Sequence, residues 1–277
     1  MPTPHKLTVC VLFYGDHTDL ARRCLDSLVS ADAPFQIRVF LNACSRATQD
    51  YVSEVRRRYP DLIPVLYSTE KNIYKYPAMR QMFHDLEYPL NTPYVAWFDD
   101  DSYLTVPPQH WAAAVGEAMQ PNTMRGEIWF KRLAGSQADW IRDQSWFAGK
   151  PVAVGRVNFI TGGYWVIDTD IIRRFGWPAA DIRHNGGDVM LGALCYQQGI
   201  KLVHDNAGVL VNADRDGKPS KSPRRGFSED PVGYNYHRRV AQQVPLQPPP
   251  VRREAFEPPR HVPPKRKPAA SPFDLDI

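Results

Sequence analysis

Residues 94–103 read Tyr94-Val95-Ala96-Trp97-Phe98-Asp99-Asp100-Asp101-Ser102-Tyr103, a short β-forming apolar run that ends in three consecutive aspartates. Adjacent like charges repel, so a folded chain keeps three together only where water or a cation relieves the repulsion. Alternate residues at the end of a strand point the same way. Asp99 and Asp101 therefore form a pair able to grip a hard divalent ion carrying a diphosphate, with Asp100 turned elsewhere. A solvated acidic turn is the plainer reading of the same residues.

Upstream of this stretch, strand and helix patterns alternate. Leu7–Phe13 is a continuous apolar run of strand length, bounded by Gly15-Asp16. Thr18 is placed to cap a helix with Leu20, Cys24, Leu25 and Leu28 on one face. Ile37–Leu41 reads as a second strand, followed by a turn at Asn42–Ser45. A helix is expected over about Ala47–Tyr59 with Val52, Val55 and Tyr59 inward, then a strand over Leu62–Tyr67, a helix over Ala78–Leu86 and a strand over Tyr94–Phe98. Successive βα units of this kind predict a mostly parallel sheet flanked by helices, with ligands at the carboxyl ends of the strands.

Downstream the pattern loosens. Trp111–Met119 reads as helix, Gly126–Arg132 as strand, Trp140–Lys150 as an aromatic loop and Val152–Ile160 as strand before Thr161-Gly162-Gly163. Asp188–Gln198 is an apolar helix ended by Gly199, and Lys201–His204 and Gly208–Val211 are short strands. From Pro245 to Ile277 there are ten prolines in 33 residues, a composition that cannot bury enough apolar surface to order itself. The expected organisation is one folded unit over 1–244 and a disordered, proline-rich basic tail over 245–277.

A chain of 277 residues that is 43% hydrophobic and 23% charged has the make-up of an ordinary globular protein. Half of its net charge of +4 lies in the tail, so the basic residues do not mark a nucleic-acid surface. Cys10, Cys24, Cys44 and Cys195 are scattered with no CxxC pair, which reads as reduced thiols in a cytoplasmic protein. No apolar run reaches spanning length, so the expected membrane contact is at most peripheral, at the inner face.

Four pieces occur in order: Leu12-Phe13-Tyr14-Gly15-Asp16, Asn42-Ala43-Cys44-Ser45, Lys71-Asn72-Ile73 with Met79-Arg80, and Asp99-Asp100-Asp101. The set resembles the GT-A glycosyltransferases, most closely family 2, over roughly residues 7–212. In that family a DDGS-like turn ends the second strand, and an NxGxxxAR-like segment precedes a strand ending in DxD. The resemblance implies an α/β GT-A fold with a Rossmann-like, mostly parallel central sheet. It also implies a nucleotide-binding half over about 7–104 and an acceptor-side half over 105–244. Phe13, Tyr14 and Asp16 would hold the base or ribose. Asn42, where the family usually has Asp, would contact the base, and Arg80 the base or diphosphate. Asp99 and Asp101 would bind Mn²⁺ or Mg²⁺, with Asp100 toward the sugar. Read without the resemblance, Asn42 is a turn residue and Arg80 a solvated helix charge.

A second constellation is Asn185-Gly186-Gly187-Asp188-Val189-Met190-Leu191-Gly192. Asp188 opens a helix, where free N–H groups stabilise a carboxylate, so a plain N-cap is one reading. With Thr161-Gly162-Gly163 upstream, the segment is also similar to the TGG…DDVxxG pattern of fringe-like β1,3-glycosyltransferases, although Gly187 stands where an acid is usual. That likeness implies that Asp188 is the general base of an inverting transfer, a reaction in which the acceptor hydroxyl must lose its proton. Gly162 and Gly163 would then let backbone approach the donor sugar or acceptor, a tight turn being the alternative. Many relatives place a metal-binding His near the end of the fold. The corresponding position is about Asn212, which leaves His237 as the candidate ligand, with His204 structural and His184 near acceptor or phosphate. Tyr164, Trp165, Trp177, Trp140 and Trp146 are either sugar-stacking residues or core.

The expectation is a metal-dependent, inverting, hexosyltransferase-type glycosyltransferase. Its donor would be a nucleotide-diphosphate sugar, UDP-sugars foremost, and its acceptor a hydroxyl on a glycan, lipid or protein, with polysaccharide biosynthesis among the settings. One alternative is a non-catalytic sugar- or protein-binding member of the fold. Another is a sugar-1-phosphate nucleotidyltransferase, whose GxGTRxxP-like loop is absent from Phe13–His17.

Overall fold

Strand β1 (Leu7–Tyr14) is apolar along almost its whole length because it lies inside the sheet and is covered on both faces. The computed structural model describes residues 5–31, 35–105, 111–133, 135–152, 156–184, 186–213 and 251–255. Strands β2 (Phe35–Asn42), β3 (Val65–Thr69) and β4 (Tyr94–Asp99) run parallel to β1, as the βα repeat requires. They are joined by α1 (Thr18–Val29), α2 (Arg46–Arg58) and α3 (Lys75–Phe83). The register sets Leu12 opposite Asp99 and Tyr14 opposite Asn42, so the ends of β1, β2 and β4 meet at one rim.

Beyond β4 come β5 (Tyr103–Leu104), α4 (Trp111–Ala118), β6 (Thr123–Arg132), α5 (Gly135–Arg142), β7 (Arg156–Asp168), α6 (Thr169–Phe175), α7 (Gly187–Gln198), β8 (Lys201–His204) and β9 (Val209–Leu210). With β10 (Arg252–Ala255) the eight-stranded order is β10-β3-β2-β1-β4-β7-β6-β8, and β5 and β9 form a separate pair. Here β7 is antiparallel to both β4 and β6.

Apolar residues fill both sides of the sheet. On one side Trp97 stacks on Trp165 at 6.1 Å, with Phe83 edge-on to both. On the other, Phe98 meets Tyr164 at 4.9 Å. Burying each such ring contributes about 1.5–3 kcal/mol. Tyr164, Trp165, Trp177, Trp140 and Trp146 all belong to this interior, none exposed by more than 4%, so they are core residues and not stacking platforms for a sugar.

Several expectations change, among them the cap of α1, which is His17 and not Thr18, and the loop from Trp140, whose first residues end helix α5. Helix α3 starts at Lys75 rather than Ala78, and Pro77 is tolerated inside it because a first-turn N–H would have no helical partner anyway. Thr161-Gly162-Gly163 is no turn, because β7 runs through it. Tyr59 ends α2 exposed rather than inward. Finally, within the stretch expected to lack order, Arg252–Ala255 forms β10 antiparallel to β3. Arg253 there meets the buried Asp85 at 3.2 Å and Glu87 at 2.6 Å, and Arg56 donates to the Glu254 carbonyl at 2.9 Å. The rest of the tail lies outside the described residues.

The four cysteines are buried and free, and burial pushes the Cys10, Cys44 and Cys195 thiols up to about 12. Among the described residues, no helix is long and apolar enough to cross a membrane.

Candidate functional site

Two residues apart on β4, Trp97 and Asp99 share a face. The Trp97 indole is buried and needs an acceptor, and its Nε1–H donates to Asp99 Oδ1 at 2.9 Å. Lys75 Nζ takes the other oxygen, donating to Asp99 Oδ2 at 2.6 Å and to the Gly162 carbonyl at 2.5 Å, while sitting 5.5 Å from the Trp97 ring centroid. Both oxygens of Asp99 are therefore engaged by the protein.

The strand ends at Asp99, and Ser102 N–H closes a turn on the Asp99 carbonyl at 3.1 Å. Alternation stops there, so Asp101 does not continue the face of Asp99. It stands partly exposed in the turn, its carbonyl accepting from Ala213 N–H at 2.7 Å. Asp100 is turned inward at 5% exposure rather than toward a sugar. Burial chiefly raises the Cys24 thiol, and the charges of Asp100, then Asp101 and Asp99, add to it. The Asp100 charge adds to the rise of the Cys44 thiol as well.

Across from Asp99 stands Asp188. The cap position of α7 is held by Gly186 at φ +87, which makes Asp188 the second helical residue and not the cap. Its Oδ1 accepts from Val189 N–H at 2.9 Å. Burial raises its pKa above the ordinary 3.8, and the Lys75 charge is the first of the opposing influences. A Cβ built on Gly162 would lie 3.1 Å from Lys75 Nζ and 3.8 Å from Asp188 Oδ2, so ammonium and carboxylate share the space over that glycine.

Close backbone approach assembles this region. At Gly187 a Cβ would fall 2.1 Å from the Tyr76 ring, so that ring fills the room an acidic neighbour of Asp188 would need. At Gly163 it would fall 2.6 Å from Asn212 Oδ1 and 3.1 Å from Ser102 Oγ. Glycine thus lets the 211–213 segment close over the aspartate turn, and Asn212 arrives beside it. Tyr76 is buried, and after burial the charges of Asp188 and Asp99 raise its hydroxyl well above 10, which puts it within reach of both carboxylates.

The residues expected to hold a nucleotide divide. Phe13 is 1% exposed and belongs to the core. Tyr14 and Asp16 lie at the rim, Tyr14 partly buried and Asp16 exposed. Asn42 is 2% exposed and does not face the cleft: its Nδ2 donates to Asn72 Oδ1 and its Oδ1 accepts from Ile73 N–H, both at 2.9 Å. That clamp holds a loop in which Tyr74 takes φ +69, where the NxGxxxAR-like pattern has its glycine. Such a conformation costs a bulky residue roughly 1–3 kcal/mol. Arg80 is not a free helix charge: its Nη1 donates to the carbonyls of Gly176 at 3.1 Å and Pro178 at 2.6 Å. His204 accepts from Ile128 N–H at 3.1 Å and is structural; His184 lies 6.1 Å from the Tyr74 ring; His237 is outside the described residues.

Asp99 already serves the Lys75 ammonium and the Trp97 indole, and Asp101 does not continue its face, so the two carboxylates do not form the pair expected to grip a divalent ion. Among the described residues, no three His, Cys, Asp or Glu side chains converge as a metal site. Lys75 and Tyr76 are the residues that sequence reasoning missed. Pro77 was the available signal, since it marks the first turn of α3 and puts both on its amino end.

No family model matches the chain, and no curated protein matches it. Solved structures do. The mannosyltransferase PcManGT from Pyrobaculum calidifontis, in complex with GDP-Man and Mn²⁺, superposes with a TM-score of 0.53 at 17% identity over 80% of this chain and 58% of that one. GalNAc-T7 with UDP, GalNAc and Mn²⁺ superposes with a TM-score of 0.54 at 12% identity over 86% of this chain and 48% of that one. The chain thus spans about half the length of the structures it matches. At these identities the likeness establishes the fold, an α/β fold of the GT-A type with a mostly parallel central sheet flanked by helices.

Proposed function

We propose that this chain is a glycosyltransferase that moves a sugar from a nucleotide-diphosphate donor to a hydroxyl acceptor with inversion at the anomeric carbon. The observation that carries the reading is the meeting, over Gly162, of the Asp188 carboxylate with the Lys75–Asp99 pair at the carboxyl end of β4. Ligands of open α/β sheets collect at that end. The nucleotides in the two neighbours' names support a nucleotide-sugar donor, and we assign UDP-sugars as the first class to test.

In this reaction the acceptor oxygen attacks the anomeric carbon from the face opposite the leaving group. The bond from that carbon to the diphosphate oxygen breaks, and the acceptor proton passes to Asp188, which acts as general base. A partly buried carboxylate whose pKa is raised suits that task, being a stronger base than an exposed one. Asn42 and Arg80 act at a distance by holding the 72–74 loop and the turn after α6. A divalent ion, Mn²⁺ or Mg²⁺, would when bound neutralise the departing diphosphate; Asp101 is the carboxylate we assign to it, not Asp99. The acceptor, whether glycan, lipid-linked or protein, lies on the side of β6 and α7.

A donor screen by thermal shift tests the reading, with UDP-, GDP-, CDP- and dTDP-sugars, with and without Mn²⁺, on wild type and Asp101→Ala. Stabilisation by one nucleotide family, with sugar released or transferred from it, is the expected result. A folded protein that responds to none of the four would refute it.

A further inference from the structure

Lys75 has a placement that the reaction above leaves unexplained. It is the first residue of α3, where the unpaired N–H groups of the helix amino end make a cation unfavourable. It nevertheless points inward at 12% exposure. An ammonium has three donors, and here two are accounted for by Asp99 Oδ2 and the Gly162 carbonyl. The third N–H is left in the space over Gly162 that Asp188 also lines.

Asp99 for its part is held on both oxygens, by Trp97 and by Lys75. A divalent ion on Asp99 Oδ2 would stand beside the Lys75 ammonium, which is only 2.6 Å from that oxygen, an unfavourable pairing of like charges. The disagreement with a metal-binding Asp99 thus gives the lysine a role.

We propose that Lys75 is a donor-binding residue: held by Asp99 and the Gly162 carbonyl, it presents its third N–H to a phosphate oxygen of the nucleotide diphosphate. In this arrangement Asp99 is a positioning residue for Lys75, not a metal ligand. Lysine binds phosphate as a compact point charge, and Trp97 beneath it keeps the ammonium from swinging away. The inference rests on the donor-site reading above and names the group that meets the donor's charge.

Calorimetric titration of UDP and of GDP tests it, in Mn²⁺ and in EDTA, on wild type, Lys75→Met, Asp99→Asn and the double variant. Lys75→Met should weaken nucleotide binding by about tenfold or more in both conditions. Asp99→Asn, whose amide oxygen still accepts from Lys75, should weaken it less and leave the gain in affinity produced by Mn²⁺ unchanged. The double variant has no stranded carboxylate, so a wild-type-like melting temperature with affinity as weak as Lys75→Met separates lost binding from lost folding.

Two outcomes overturn the assignment, and they differ. If Asp99→Asn abolishes the Mn²⁺ gain while Lys75→Met binds within about twofold of wild type, Asp99 is a metal ligand and Lys75 is only its counter-ion. If folded wild type binds neither nucleotide in either condition, the donor site itself is wrong and Lys75 falls with it.

Discussion

The β1–β3 side of the sheet and the β4–β7 side use polar residues at strand ends for different work. On the first side, Asn42 turns inward and knits together the 72–74 loop, and Arg80 on α3 reaches across to the carbonyls of Gly176 and Pro178. On the second, Asp99, Lys75 and Asp188 gather around Gly162, with Gly163 and Gly187 admitting neighbours that no Cβ would allow. A polar residue at the mouth of a sheet is a binding group only where surrounding backbone leaves room for a ligand. Elsewhere the same residue is a clamp.

The largest test of this contrast is Asp188→Asn, expected to lower kcat roughly 10²–10⁴-fold while donor affinity holds, as initial rates and titration would show. Its pH dependence has a definite sign. Burial raises the Asp188 pKa above 3.8, and the base must be ionised, so activity falls as pH drops through that raised value. Stability runs the other way. A carboxyl whose pKa is raised in the fold contributes stability below its unfolded pKa and loses it as pH rises through the folded one. Asp188→Asn should therefore melt no lower than wild type at neutral pH, and any advantage should vanish in acid.

Next is Gly187→Asp, which restores the acid usual in such enzymes. Its side chain must enter the Tyr76 ring, so chemical denaturation should show a loss of about 1–3 kcal/mol, with no gain in turnover. A folded, faster Gly187→Asp enzyme would erase the distinction drawn between the two sides.

Asn42→Asp sharpens the other side. If Asn42 were a base contact, the change would improve nucleotide binding. As a clamp it loses the donor to Asn72 Oδ1 and leaves two oxygens facing one another, which should cost about 1–3 kcal/mol of stability. Smallest is the effect of ending the chain after Val244. Removing β10 uncovers the edge of β3 and takes Arg253 from Asp85, so the fold should persist with a loss of about 1–2 kcal/mol. Arg253→Ala should reproduce much of that drop in melting temperature.

Local signals carried far in the first half. Largely apolar runs between turn residues located β1, β2 and β4, and the three aspartates fell at the end of a strand as their sequence required. They carried less in the second half, where β7 passes straight through a Thr-Gly-Gly that reads as a break. Glycine usually marks a turn, but at Gly163 its missing side chain is filled by residues from beyond Ala207, which no local pattern announces.

What the sequence by itself determined is the alternation of strand and helix, the rim where the strands end, the placing of Asp99 at that rim and of Asp188 at the start of a helix. These follow from periodicities of two and 3.6 residues acting over short windows. Only the tertiary structure decided which of those residues are open to a ligand. Lys75 closes on Asp99 from 24 residues away and on the Gly162 carbonyl from 87, and Arg80 reaches Gly176 from 96. Partnerships across such separations depend on which backbones pack closely enough to bring donor and acceptor together. That closeness is a property of the folded chain, not of any stretch of it.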